Sequence, residues 1–312
     1  MALPVSKGRI KSARRIVIYG VEGVGKTSLA ASIPKAIMID ADDGSGMFDA
    51  VDRYQFRDGA AGHVPATFAE ITKAVDLVAA GGHGYAALVI DSLDRVEALI
   101  ARHVCDRDKQ SSIESYGYGK GWQVLLDEVR ALLAKLDAVR GAGVDVILLA
   151  HAQVKKFVNP SGNDYDRYQL KCSEKVSGLV REWCDELGFF HFDEGGNVAT
   201  GKNPRKGWST GRRIVEWDRA AAWDAKCRLP LPSSSDVPAE NPWSGIASAI
   251  DASFSAGAAE LAPLINAEIE RIGDPALGEK VAKAIASANG NAQKLQTYLG
   301  ELRRRPALEV VQ

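Results

Sequence analysis

The stretch Ile16-Val17-Ile18-Tyr19-Gly20-Val21-Glu22-Gly23-Val24-Gly25-Lys26-Thr27 decides how the rest of the chain is read. An apolar run stops at a glycine, and the residues from Gly20 to Thr27 then fit the pattern G-x-x-x-x-G-K-[ST]. Glycines in such a loop let the backbone wrap tightly enough for successive N–H groups to converge on one anion. A helix opening near Lys26 adds its positive end. Lys26 reaches the outer phosphates of a nucleoside triphosphate, and the Thr27 hydroxyl faces a Mg2+ ion. Gly20, Val21, Glu22, Gly23, Val24, Gly25, Lys26, Thr27 and the next residue, Ser28, are the expected nucleotide-binding residues, with ATP and Mg2+ the expected ligands.

Similar apolar runs lie downstream. Residues 36–39 end in Asp40, residues 86–90 in Asp91, and residues 146–150 in His151. Unbroken rather than alternating runs indicate strands buried on both faces, as in a parallel sheet. Ligands of open α/β sheets gather at the carboxyl ends of such strands. Asp91 closes Leu88-Val89-Ile90 and is the expected second holder of the Mg2+ ion, beside Thr27. Helical patterns fill the gaps at residues 67–78, 93–104, 122–139 and 174–187, the first opened by a Thr67-x-x-Glu70 capping box. Alternating strand and helix predicts an α/β fold.

Beyond residue 188 the texture changes. Residues 189–192, 197–200 and 213–217 predict strands joined by Gly-rich turns, an antiparallel extension of the sheet. Pro230, Pro232 and the serines at 233–235 predict a linker over 233–242, which divides a core at 1–232 from an Ala-rich helical region at 243–312, with breaks at Gly257, Gly273-Asp274-Pro275 and Gly290. The chain has 312 residues, 46% hydrophobic and 25% charged, with a net charge of −1. That balance suits a packed core and excludes disordered and histone-like polybasic classes. Cys105, Cys172, Cys184 and Cys227 show no metal or disulfide spacing, so free thiols in a reducing compartment are expected. No apolar run nears the ~18–20 residues that span a bilayer. The expectation is a cytoplasmic protein with no membrane partner.

These motifs narrow the function. A base-reading N-K-x-D or T-K-x-D is missing, which argues against a GTPase. Asp91 is followed by Ser92 rather than by a second acid. In this the chain resembles the RecA-type recombinase ATPases, which close the same strand with Asp-Ser. That family carries a catalytic acid in an I-D-A-E pattern, and Ile39-Asp40-Ala41-Asp42 stands in that place. It also carries a γ-phosphate-sensing glutamine just past the fourth strand, which Gln153 matches. The motifs extend over roughly residues 14–230. Closer still is the resemblance to phage-encoded single-domain RecA-core ATPases of the Sak-four type, carried by Tyr116-Gly117-Tyr118-Gly119-Lys120-Gly121, His151-Ala152-Gln153-Val154-Lys155, residues 166–171 and Ala225-Lys226-Cys227-Arg228. The resemblance implies a protein of the phage or bacterial cell interior. It departs at one point: Asp42 is one methylene shorter than the family's glutamate, which sets its carboxylate back by about 1–1.5 Å. Asp43 is the alternative base.

The resemblance further implies a homo-oligomer or filament with ATP at protomer interfaces, where Lys226 and Arg228 would reach the neighbour's γ-phosphate as arginine fingers do. Two loops mix cations with rings, the combination a single strand asks for. The first holds Lys109, Tyr116, Tyr118 and Lys120; the second holds Lys155, Lys156, Phe157, Arg167, Tyr168 and Lys171. A third basic stretch contains Lys202, Arg205, Lys206, Arg212 and Arg213. His151 is either a relay between Gln153 and the second loop or a satisfied strand-end histidine. The expected function is an ATP-hydrolysing recombination protein that binds single-stranded DNA and promotes annealing or strand exchange. A single-strand-binding protein is a candidate partner for the helical region. A loader or adaptor ATPase and a helicase-like motor are the alternatives.

Overall fold

The apolar runs become the centre of one sheet. The computed structural model describes residues 12–59, 61–195 and 208–272, with Leu277, Leu299 and Leu302. In chain order it holds β1 (Arg15–Gly20), α1 (Lys26–Ala31), β2 (Ala36–Asp40), β3 (Asp52–Arg53), α2 (Phe68–Ala79), β4 (Ala87–Asp91), α3 (Leu93–Asp108), α4 (Lys120–Gly141), β5 (Asp145–Phe157), β6 (Tyr165–Leu170), α5 (Glu174–Trp183), β7 (Glu186–Gly195), β8 (Trp208–Glu216), β9 (Lys226–Cys227), β10 (Ser234–Asp236) and α6 (Ser244–Ile272). The strands are ordered β10-β8-β7-β1-β5-β4-β2-β3. From β7 to β3 every neighbouring pair is parallel, and β8 and β10 add antiparallel strands beyond β7. This is the expected mainly parallel α/β sheet with an antiparallel extension.

Side-chain alternation along each strand accounts for the unbroken apolar runs. Val17, Tyr19, Ile39, Leu88, Ile90 and Leu148 join one core with α2 to α5. Their neighbours Ile16, Ile18, Met38, Val89 and Ile147 are also buried, on the other face. Charged pairs fasten the amino ends of the central strands. Arg14 Nε donates to Glu186 at 2.8 Å and Arg15 Nη2 to Asp185 at 2.9 Å, so β1 and β7 are tied where they begin.

Several elements depart from the sequence expectation. The helix predicted to reach residue 187 ends at Trp183, because Cys184 is extended and β7 must start at Glu186 to run beside β1. The second basic loop is largely a ribbon: β5 continues to Phe157 and pairs antiparallel with β6. Ser234–Asp236, inside the stretch read as a linker, pairs with β8 as an edge strand. The chain divides into one compact unit at Ala13–Ile246 and another formed by Met1–Ser12 and Ala247–Gln312. In the second unit α6 passes through Gly257 without the expected break and also contains Pro263. The expected strand at 197–200, the expected breaks at 273–275 and 290, and Lys202, Arg205 and Lys206 lie outside the described residues. All four cysteines are free thiols, and among the described residues no helix is long and apolar enough to cross a membrane.

Candidate functional site

Strand β1 delivers the glycine loop to the carboxyl edge of the sheet. Gly20 pairs with Phe190 of β7, and a Cβ there would lie 2.3 Å from the Phe190 carbonyl oxygen. Gly25 precedes α1 with φ 99°, a backbone that side chains resist. Both glycines are required by geometry. Lys26 is buried, and its Nζ donates to the carbonyls of Gly20 at 3.1 Å and Val21 at 3.0 Å. Burial pushes its ammonium below the usual lysine range, while Asp91, Asp94, Glu22 and Asp42 pull it back. The ammonium is thus held in a poorly solvated place that an anion would improve.

Facing it is a pair from the first turn of α1 and the end of β4. Thr27 Oγ1 donates to Asp91 Oδ2 at 2.8 Å. Burial pushes the Asp91 carboxyl up to about 6; the Thr27 hydrogen bond lowers it and the charges of Asp42 and Asp40 raise it further. A hydroxyl and a desolvated carboxylate at this separation are a hard-oxygen donor set of the kind Mg2+ takes. The Asp91–Ser92 peptide is cis. Ser92 then donates its hydroxyl to Asp42 Oδ2 at 2.6 Å, and the Ala41 N–H donates to the Asp91 carbonyl at 2.6 Å. The turn after β2 is thereby fastened to the end of β4.

The three acids of that turn face different partners. Asp40 is fully buried and accepts from the backbone N–H groups of Gly44 at 3.1 Å and Ser45 at 2.8 Å, so it shapes the turn. Asp42 is solvent-exposed and turned toward Ser92. Asp43, at φ 58°, lies 3.1 Å from His63 Nε2, which is 3.9 Å from Asp40. On β5, which lies between β1 and β4, Gln153 donates its amide to the carbonyls of Leu170 at 2.6 Å and Cys172 at 3.1 Å, tying β5 to the end of β6. His151 pairs in register with Gly20, and its Nδ1 lies 3.0 Å from Asp94.

The residues expected to contact nucleic acid separate into two groups. Lys109, Lys120, Lys155, Lys156 and Lys171 are exposed, with Lys156 3.0 Å from Asp164. Tyr116 instead packs on the core and donates its hydroxyl to the Val104 carbonyl and to Asp108. Its neighbour Tyr118 is fully exposed, with φ 49° between two glycines. Arg167 is 3% exposed and cannot meet a phosphate from there. Its guanidinium donates to Ala221 O, Asp224 and the Tyr165 hydroxyl, and lies 4.0 Å over the Phe157 ring. Arg167→Ala is expected to cost about 3 kcal/mol, because it empties a buried site and leaves the Ala221 carbonyl and the Tyr165 hydroxyl without their donor, while Asp224 keeps Arg181 at 2.6 Å. The check is the melting temperature, which should fall by roughly 10 °C.

Lys226 and Arg228 lie toward the opposite edge of the sheet from their own phosphate loop. Strand β9 pairs with Glu186 and Leu187 at the start of β7, whereas Gly20 pairs with Phe190. Lys226 Nζ donates to the carbonyls of Arg181 and Cys184, both at 2.8 Å, and Arg228 Nη1 to Asp185 at 2.9 Å. Two residues at the site carried no such expectation. Ser92 positions an acid, a role hinted at only by its place after Asp91. Arg213, read as part of a basic stretch, reaches the phosphate loop, with Nη1 3.5 Å from the Val24 carbonyl.

Residues 12–229 match the AAA_24 family, described as an AAA domain. Among solved structures, the RadB recombinase aligns over 73% of this chain and 88% of its own at 14% identity, with a TM-score of 0.38. The flagellar accessory protein FlaH from Methanocaldococcus jannaschii aligns over 74% of this chain and 87% of its own at 11% identity, with a TM-score of 0.35. No curated protein sequence matches the chain.

Proposed function

We propose that this chain, which belongs to the AAA_24 family of AAA domains, is a RecA-like ATPase that binds single-stranded DNA and promotes annealing or strand exchange. The observation that carries the ATPase reading is the 2.8 Å contact of Thr27 with Asp91 beside the buried Lys26. Lys26 neutralises charge on the outer phosphates of ATP. Thr27 and Asp91 are the residues to hold Mg2+, which supplies further charge neutralisation at the β and γ oxygens when bound. Asp42, steadied by Ser92, orients the attacking water. Gln153 links the γ-phosphate end of the site to the β5–β6 ribbon, because its amide already ties the two strands together.

The DNA-binding reading rests on the exposed cations and one ring. Tyr118 offers a free face for base stacking, flanked by Lys109 and Lys120 on one loop. Lys155, Lys156 and Lys171 supply phosphate contacts from the ribbon. The position of β9 supports a trans role for Lys226 and Arg228, since they lie away from their own phosphate loop and would serve a neighbouring protomer.

The deciding experiment measures ATPase rate with and without single-stranded DNA, alongside binding across a salt series. DNA should stimulate hydrolysis, and log K should fall with log salt at a slope of about −2 to −3.5, for three to five neutralised phosphates. Salt-insensitive or undetectable strand binding with retained hydrolysis would point to a loader or adaptor; coupled duplex unwinding would point to a motor.

A further inference from the structure

We infer that Arg213 is a second phosphate-binding cation of the nucleotide site, contributed in cis by the antiparallel extension. The assignment rests on the ATP-site reading above and deepens it. Register places the residue there. Arg213 pairs with Phe192 of β7, while Gly20 pairs with Phe190, so Arg213 stands two residues, about 7 Å, past the edge from which the phosphate loop rises. Its backbone is fixed on the other side too, because the Val237 N–H donates to the Arg213 carbonyl at 2.8 Å.

Neighbouring arginines on one strand point to opposite faces and meet different partners. Arg212 is matched by acids, with Nη2 on Asp236 at 2.5 Å and Nη1 3.6 Å from Asp193. Among the described residues, Arg213 has no carboxylate partner. It meets only carbonyls, with Nη2 on Pro238 O at 2.9 Å and Nη1 3.5 Å from Val24 O. A guanidinium carries five N–H donors, so three remain. The head group also occupies the space beside Gly25: a Cβ there would lie 2.5 Å from Nη1. A half-buried, uncompensated guanidinium with spare donors thus lies against the Val24–Gly25 backbone. Its charge and spare N–H donors suit phosphate oxygens. The chemical class it takes is the phosphate chain of a nucleoside di- or triphosphate.

The test is calorimetric titration of the full chain with a non-hydrolysable ATP analogue and Mg2+, at low and high salt. Arg213→Gln keeps a donor for the carbonyls and loses the charge. It should bind about tenfold more weakly at low salt, the scale of one charge-assisted hydrogen bond, and the deficit should shrink as salt rises. Arg213→Lys keeps the charge and should recover most of the affinity. Wild-type affinity in Arg213→Gln at both salts overturns the assignment. So does Arg213→Lys binding as weakly as Arg213→Gln, because the residue would then be only a strut between Val24 and Pro238. If Arg213→Gln fails to fold, the lysine variant against wild type decides: wild-type-like affinity supports the role, and a tenfold loss removes it. Lys26→Ala in parallel separates the two readings. A wild type that binds no analogue removes the ATP site itself; binding that needs Lys26 but ignores Arg213 removes only this assignment.

Discussion

Lys26→Ala is expected to lower ATP turnover roughly 10²–10³-fold, the loss seen when one preorganised charge-stabilising donor is removed from a transition state. The protein should nevertheless stay folded. Lys26 is buried beside the loop carbonyls, and burial already pushes its ammonium below the usual range. A charge that burial makes costly to keep costs the fold little when it is removed. The two measurements are steady-state ATP hydrolysis and thermal melting of the nucleotide-free protein. A variant that melts with the wild type and does not hydrolyse ATP fits the site described above. One that hydrolyses ATP normally would dismiss the phosphate-loop assignment altogether.

Asp42→Asn should retain nucleotide binding and lose about 10²–10⁴-fold in turnover, the span attributed to a positioned general base. The geometry separates Asp42 from its neighbours. Its carboxylate accepts from Ser92, the residue that follows Asp91, whereas Asp43 turns to His63 and Asp40 serves the backbone of its own turn. Asp43→Asn is therefore expected to change turnover by less than tenfold, within the effect of a rim contact. Ser92→Ala should fall between the two, about tenfold, because Asp42 would lose the hydrogen bond that orients it. Single-turnover hydrolysis with saturating ATP reads all three. A full loss in Asp43→Asn with an active Asp42→Asn would transfer the base role to Asp43.

Much of the candidate nucleotide site is legible in the sequence because its signals are local. A strand, a glycine loop and a lysine must be contiguous to cradle phosphates, so Gly20 to Thr27 announce themselves. Asp91 was legible for a related reason: an unbroken apolar run ending in an acid marks the carboxyl edge of a buried strand. The acid in the turn after β2 was narrowed to two candidates, since neighbouring residues in a turn share every sequence signal.

Composition could not separate a surface ring from a packed one. Tyr116 and Tyr118 lie in one Gly-rich segment with the same flanking charges, yet one hydroxyl is held by Val104 and Asp108 and the other ring is bare. Arg167 resembled the lysines around it until Asp224, 57 positions away, came to pair with it in the interior.

By itself, the sequence determined the α/β alternation, the glycine loop after β1 and the acid at the end of β4, because hydrogen-bonding and apolar periodicities act over a few residues. Only the tertiary structure decided which cations face solvent, that Ser92 holds Asp42, and that Arg213 lies against a loop 189 positions earlier. Such pairs are made by strand order and register, and these are set by packing of the whole sheet rather than by any neighbouring residue.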